Sequence, residues 1–174
     1  VIVVMSGSFM QRGEPAVLSK WQRASCAVQG GADLVLELPC VFTLRSAEFF
    51  AKGAVQLLAA TGCVNTLACG TEHPQSDFKA AASLACSAEA QARLRKLLQN
   101  GLSYAQAWEK ILGANTAFRS PNDILALEYT KALLQTAADI QPLYLQRTDE
   151  GYNSTAIGSS IASASAIRRA MADG

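Results

Sequence analysis

Four places in the chain gather residue types that could hold a phosphate or a nucleotide. The first is Met5-Ser6-Gly7-Ser8-Phe9-Met10-Gln11-Arg12-Gly13-Glu14-Pro15, a strand end running into a loop with two glycines, an arginine and a carboxylate. Glycines let backbone N–H groups approach a phosphate, and a guanidinium can bind it bidentately. Ser6, Gly7, Gln11, Arg12, Gly13 and Glu14 are therefore candidate phosphate or substrate contacts. The alternative is an ordinary βα loop with a surface Arg–Glu pair, and spacing does not choose between them. No Walker-type G-x-x-x-x-G-K-[ST] sequence occurs.

The second place is Gly70-Thr71-Glu72-His73. Gly70 could clear space for a ligand, and Glu72 could accept from a ribose hydroxyl or hold a cation. His73 is the only histidine. Without a visible orienting partner it reads more readily as a loop polar group than as a catalyst. The third is Ser163-Ala164-Ser165-Ala166-Ile167-Arg168-Arg169, hydroxyls at a helix start followed by arginines, which is either an anion site or a Ser-capped helix with solvated cations. The fourth joins Asn122-Asp123-Ile124-Leu125, at a helix start after Pro121, with Arg147 at a strand end. Asn122 is either a cap or a contact to an adenine edge or phosphate. Arginines at three such positions, Arg12, Arg147 and Arg168, point to a polyanion.

These groups need elements to position them. Val1 to Met5 reads as a buried strand, Val17 to Gln29 as a helix closed by Gly30-Gly31, and Leu34 to Leu38 as a second strand stopped by Pro39. Ser46 to Ala60 reads as a helix with Ser46 as N-cap, and Thr66 to Cys69 as a third strand. Strand–helix–strand alternation with short connections predicts a parallel, doubly wound α/β sheet, whose ligands bind beyond the strands' carboxyl ends. Phe78 to Asn100 reads as one alanine-rich helix and Ser103 to Leu112 as another, so 78–119 forms a helical insertion. A helix over 122–135, a fourth strand over 140–146, a polar loop over 148–160 and a closing helix near Ser163 complete the pattern.

With 174 residues, 50% of them hydrophobic and 17% charged, the chain is long enough for one domain with a core of its own. Its apolar runs fall well short of the roughly 20 residues a membrane helix needs. The first residues lack the basic start of a signal peptide. Cys26, Cys40, Cys63, Cys69 and Cys86 show no metal-type spacing and are expected as reduced core thiols, which points to the cytoplasm. A net charge of +1 leaves room for a basic face toward nucleic acid.

In order, these segments resemble the tRNA(Met) cytidine acetate ligase family, nucleotidyltransferase-like proteins of bacteria. The resemblance is carried by Met5-Ser6-Gly7, Gln11 to Ala16, Lys20-Trp21, Gly31 to Pro39, Ser46 to Gly53, Gly70-Thr71-Glu72, Asn122 to Leu125 and Ala162 to Arg168. It implies a Rossmann-like nucleotidyltransferase fold, with ATP and Mg²⁺ as cofactors and acetate and elongator tRNA(Met) as substrates. The implied ligase forms acetyl-adenylate and acetylates N4 of the wobble cytidine. Carried over by motif, Gly70, Asn122 and Arg147 would bind ATP, with Ser163, Ser165 and Arg168 near the phosphates. The family begins with a further strand and a His-x-x-His turn and ends in a helical domain. The resemblance thus implies that this chain starts at the family's second strand, lacks its catalytic histidines, and binds ATP weakly without turnover. Two other readings stay open: a nucleotidyltransferase acting on a small metabolite, and a non-catalytic nucleotide- or RNA-binding module.

Overall fold

A computed structural model describes residues 1–11, 13–113, 120–136, 139–147, 167–168 and 170–171. The polar loop expected over 148–160, and Arg12, Ser163 and Ser165, lie outside the described residues. The chain runs β1 (Ile2–Ser6), α1 (Lys20–Gln29), β2 (Leu34–Leu38), α2 (Cys40–Thr43), α3 (Ala47–Ala60) and β3 (Thr66–Thr71). It continues through α4 (Phe78–Cys86), α5 (Ala88–Gln99), α6 (Tyr104–Leu112), α7 (Pro121–Gln135) and β4 (Gln141–Gln146). Residues 167–168 and 170–171 are helical.

The strands are parallel, as the alternation predicts, and they form two pairs. β1 lies on β2 from Ile2–Leu34 to Ser6–Leu38, and β3 lies on β4 from Thr66–Gln141 to Thr71–Gln146. Among the described residues no ladder joins the two pairs. A cleft of about 980 Å³ runs between them, walled by Val1 to Val4 on one side and Thr66 to Gly70 on the other. The inner edges of β1 and β3 thus face each other across a groove instead of continuing one sheet.

Local chemistry fixes the helix ends. Ser19 starts α1 and Ser103 starts α6, each through a reciprocal capping box with a glutamine three residues on, Gln22 and Gln106. Ser46 precedes α3 as expected, but its side chain makes no cap bond. The single helix expected over 78–100 is two. Ser87 takes an extended conformation (ψ 146°) and its hydroxyl accepts from the Ala90 N–H, ending α4 and starting α5. Alanine periodicity hid this break because both helices bury alanine: Ala82 and Ala85 in α4, Ala90 in α5.

α7 is the axis of the structure, packed against α3, α4, β3 and β4. It has no polar face to spare, and buries Asp123, Glu128, Thr130 and Lys131 as well as Ala126, Leu127 and Leu133. One core cluster joins Val55 and Leu58 of α3, Leu67 of β3, and Ala132 and Leu133 of α7. A second joins Phe78 and Ala82 of α4 to Ala126 and Leu127 of α7, with Phe78 stacked on Tyr144 at 4.4 Å between ring centroids. Helices α5 and α6 pack around a further core of Trp108, Leu94 and Ala107. Against expectation, the cysteines are not core residues: Cys26, Cys40 and Cys63 are exposed, Cys69 and Cys86 half-buried, and all five are free. Cys26, Cys40, Cys63 and Cys86 lie outside the three apolar clusters, whereas Cys69 of β3 packs against two of them. No helix among the described residues is long and apolar enough to cross a membrane.

Candidate functional site

The carboxyl ends of β3 and β4 meet the N-terminus of α7, and this is where the chain concentrates its polar contacts. β4 delivers Arg147, whose backbone N–H donates to the Thr71 carbonyl at 3.0 Å and whose side chain lies over Gly70. A Cβ on Gly70 would stand 3.3 Å from the Arg147 Cγ, so this glycine gives clearance to the arginine stem. Ser120 precedes α7 and Pro121 opens it at a position where a missing N–H costs nothing. That places Asn122 and Asp123 in the first helical turn.

Asp123 is fully buried, and its carboxylate gathers the loop after β3. It accepts from the Thr71 hydroxyl at 2.5 Å, the Glu72 N–H at 3.0 Å and the His73 N–H at 3.2 Å, and it lies 2.8 Å from His73 Nδ1. Beside it, Asn122 donates its amide to Glu72 Oε1 at 2.7 Å. Gln146 donates to the Glu72 carbonyl at 3.0 Å, so the loop is held from α7 and from β4. Sequence reasoning noticed Asp123 only as part of a helix start. An acidic residue in a first helical turn ordinarily serves the macrodipole, and nothing in the spacing reveals a partner 52 residues away. His73 likewise has the orienting carboxylate that its sequence context did not show.

Of the six residues carried over for ATP, the structure brings three to one surface. Gly70, Asn122 and Arg147 all line the wall of the cleft between the strand pairs, together with Cys69, Ala126 and Tyr129. Burial pushes the Cys69 thiol up to about 11 and raises the Tyr129 hydroxyl. Arg168 lies in helical backbone, half-buried and off this wall.

The loop after β1 takes a different form from an open phosphate cradle. Phe9 bridges Pro15 in antiparallel fashion, Met10 N–H donates to the Glu14 carbonyl, Gly13 N–H to Met10 and Ala16 N–H to Ser8. These donors are spent within a small hairpin, whose Gly13 and Glu14 are exposed while Gln11 is half-buried. At its base Ser6 and Gly7 are buried, and Arg23 of α1 donates to both of their carbonyls. A Cβ on Gly7 would meet the Glu37 carboxylate at 2.1 Å, and Glu37 is in turn paired with Lys20 at 2.7 Å. Arg23, Glu37 and Lys20 were not singled out in the sequence as site residues, although Lys20 and Glu37 stand in motifs that carry the resemblance.

Among the described residues, no cluster of three His, Cys, Asp or Glu could hold a metal ion. The arrangement can position an anion by arginine and helix N-terminus, with a buried carboxylate tying those parts together.

Comparison with known proteins places the chain among relatives. A tRNA(Met) cytidine acetate ligase of Leuconostoc mesenteroides is 43% identical over 100% of this chain and 45% of its own length. Another from Acetivibrio thermocellus is 42% identical over 97% of this chain and 43% of its own. Crystal structures of TmcAL from Thermotoga maritima, apo and bound with alpha-thio ATP, match at TM-scores of 0.88 and 0.82 and identities of 34% and 35%. Each covers 99% of this chain, which corresponds to 44% and 43% of the TmcAL chain. The chain thus spans less than half the length of the curated relatives it matches. The HIGH nucleotidyl transferase family matches residues 1–174. With Rossmann-like parallel strands and the whole of its length matched, the chain belongs to the HIGH nucleotidyl transferase family.

Proposed function

We propose that the chain is the nucleotide-binding part of an ATP-dependent ligase that activates acetate as acetyl-adenylate and acetylates N4 of the wobble cytidine in elongator tRNA(Met). The observation that carries this is the convergence of Gly70, Asn122 and Arg147 on one cleft wall, at the strand ends where α/β sheets bind ligands. The activity for which the two ligases are named and the alpha-thio ATP of the TmcAL structure support the same reading.

In the first step an acetate oxygen attacks the α-phosphorus of ATP and pyrophosphate leaves. In the second the cytidine N4 attacks the acetyl carbon, AMP leaves, and N4 gives up a proton. Arg147 would neutralise phosphate charge, Asn122 and the first turn of α7 would orient the nucleotide, and Asp123 would keep both in register with β3. Ser163, Ser165 and Arg168 would complete the phosphate contacts. Ser6, Gly7, Gln11, Arg12, Gly13 and Glu14 would face the substrate from the β1 side. Such chemistry needs charge neutralisation and in-line positioning and no covalent nucleophile. The described residues offer no cage for Mg²⁺, so the ion would arrive on the phosphates of ATP. The five free cysteines fit a reducing compartment such as the cytoplasm.

The full-length protein is expected to release pyrophosphate with ATP and acetate, and to incorporate labelled acetate into elongator tRNA(Met). Arg147→Ala and Asn122→Ala should each weaken ATP binding by about 1–3 kcal/mol, as for lost hydrogen bonds to charged groups. Turnover indifferent to acetate, or to RNA, would favour a small-molecule nucleotidyltransferase instead.

A further inference from the structure

We infer that Glu72 sets ligand specificity by turning the Asn122 amide, so that its carbonyl oxygen faces the cleft and accepts a hydrogen bond from an amine or hydroxyl of the nucleotide. This rests on the ATP reading above and adds to it a residue and a rule of selection.

Asn122 lines the cleft and Glu72 does not. Between them stands one hydrogen bond, 2.7 Å from Asn122 Nδ2 to Glu72 Oε1. A carboxylate accepts and does not donate, so the NH₂ end of the amide is committed to Glu72. Oδ1, at the other end of the planar amide, is then the end left to meet a ligand at the wall that Asn122 shares with Gly70 and Arg147.

Glu72 is held well enough to impose this. Its N–H donates to Asp123 Oδ1 at 3.0 Å, and its carbonyl accepts from Gln146 at 3.0 Å. Its second oxygen, Oε2, is buried without a hydrogen-bond partner. A buried, half-satisfied carboxylate is a cost that packing alone would remove by substitution to an apolar residue. Among the described residues its side chain bonds Asn122, and its effect on the ligand passes there.

An acceptor presented at this point discriminates against ligand groups that are themselves acceptors, because two facing lone pairs leave both unsatisfied. It favours a donor, and ATP has two kinds: the 6-amino group of adenine and the ribose hydroxyls. Inosine triphosphate lacks the first, and 2′-deoxy-ATP and 3′-deoxy-ATP lack the second, so the three analogues separate the sources.

The test is calorimetric titration of the full-length protein with ATP and these three nucleotides, for wild type and Glu72→Gln. Glutamine keeps the size of the side chain but can face Asn122 with either a donor or an acceptor, releasing the amide to turn. The wild type is expected to bind at least one analogue about tenfold or more weakly than ATP, and that ratio should fall below about threefold in Glu72→Gln. Wild-type affinities for all four nucleotides within about threefold would overturn the inference and leave ATP binding intact. A Glu72→Gln protein that loses affinity for all four in parallel, with the ratio kept, would overturn it too, since that marks a merely structural role. Failure of the wild type to bind ATP at all would bring down the ATP reading and this inference together. The wild-type panel needs no variant, so the inference stays open to refutation if Glu72→Gln does not fold.

Discussion

Lys131 Nζ lies 2.8 Å from Glu128 Oε2 inside the packed face of α7, with the two side chains only 4% and 1% exposed. Tyr104 of α6 donates to the other carboxylate oxygen at 2.8 Å, and the Lys131 ammonium sits 5.0 Å from the Trp108 ring. Helix α6 is thereby tied to the helix that carries Asn122 and Asp123. Truncating one partner should leave an uncompensated buried charge, so Glu128→Ala is expected to cost about 3–5 kcal/mol in urea unfolding. The double variant Glu128→Leu/Lys131→Met should recover most of that loss. A double variant as unstable as Glu128→Ala would show that charge burial is not the cause.

The same carboxyl group gives a pH signature. Burial raises the Glu128 pKa above its usual 4.5, and Lys131 opposes this without cancelling it. The folded state therefore holds the proton more tightly than the unfolded state. That contribution is fully present below the usual value and is lost as pH rises through the raised one. Measured against Glu128→Gln, the wild type should lose relative stability as pH rises through and above the usual carboxylate range. A flat difference across that range would mean that folding leaves this carboxyl's proton affinity unchanged.

Asp123 should matter to both stability and binding. Replacing it by alanine strands the buried Thr71 hydroxyl and the Glu72 N–H and takes the carboxylate from the half-exposed His73 ring, while the His73 N–H keeps its bond to the Thr71 hydroxyl. Charge-assisted bonds are worth about 1.5–3 kcal/mol each and are not additive, so Asp123→Ala is expected to cost about 3 kcal/mol overall. Asp123→Asn keeps one acceptor and should cost less. Chemical unfolding checks the order of the two variants, and equal stability of Asp123→Ala and wild type would remove the clamp from this account.

The strands and most of the helices were legible because they rest on short-range signals: apolar runs, and glycine or proline at element ends. Thus Leu34 to Leu38 is a strand in both readings. The shared wall of Gly70, Asn122 and Arg147 was legible from their positions at two strand ends and a helix start. What stayed hidden depends on contacts across long sequence separations. Asp123 reaches back to Thr71, and Arg23 to the carbonyls of Ser6 and Gly7. The hairpin over residues 8–16 was missed because its glycine and arginine satisfied a phosphate-loop pattern equally well. The division of the strands into two pairs had no local signal, since β1 and β3 each read as ordinary buried strands.

Gly53 offers a test of packing between α2 and α3. A glycine inside a helix ordinarily costs about 1 kcal/mol relative to alanine, so propensity alone predicts that Gly53→Ala stabilises. The structure predicts the reverse. A Cβ there would stand 2.5 Å from Phe42 Cγ and 2.8 Å from its Cβ, distances at which the ring or α2 must move. Overpacking of this kind costs about 1–3 kcal/mol, and a smaller partner in Gly53→Ala/Phe42→Leu should restore part of it. Thermal unfolding of the three proteins decides between propensity and packing.

The cysteines can be ranked by reactivity from their surroundings. Cys26, Cys40 and Cys63 are exposed, whereas Cys69 lies on the cleft wall with its thiol pushed from 9.0 to about 11 by burial. Alkylation proceeds through the thiolate, so at mildly alkaline pH Cys69 should present about a hundredfold less reactive form than an ordinary thiol, before any steric shielding. Iodoacetamide labelling followed by peptide mass analysis is expected to modify the three exposed cysteines first and Cys69 only after urea is added. ATP, if it occupies the cleft, should slow Cys69 labelling further while leaving Cys26 unchanged, because Cys69 shares its wall with Gly70 and Asn122. Labelling of Cys69 at the rate of Cys26 in the folded protein would contradict the buried environment, and an ATP effect on both cysteines alike would point to global stabilisation instead of occupancy of the cleft.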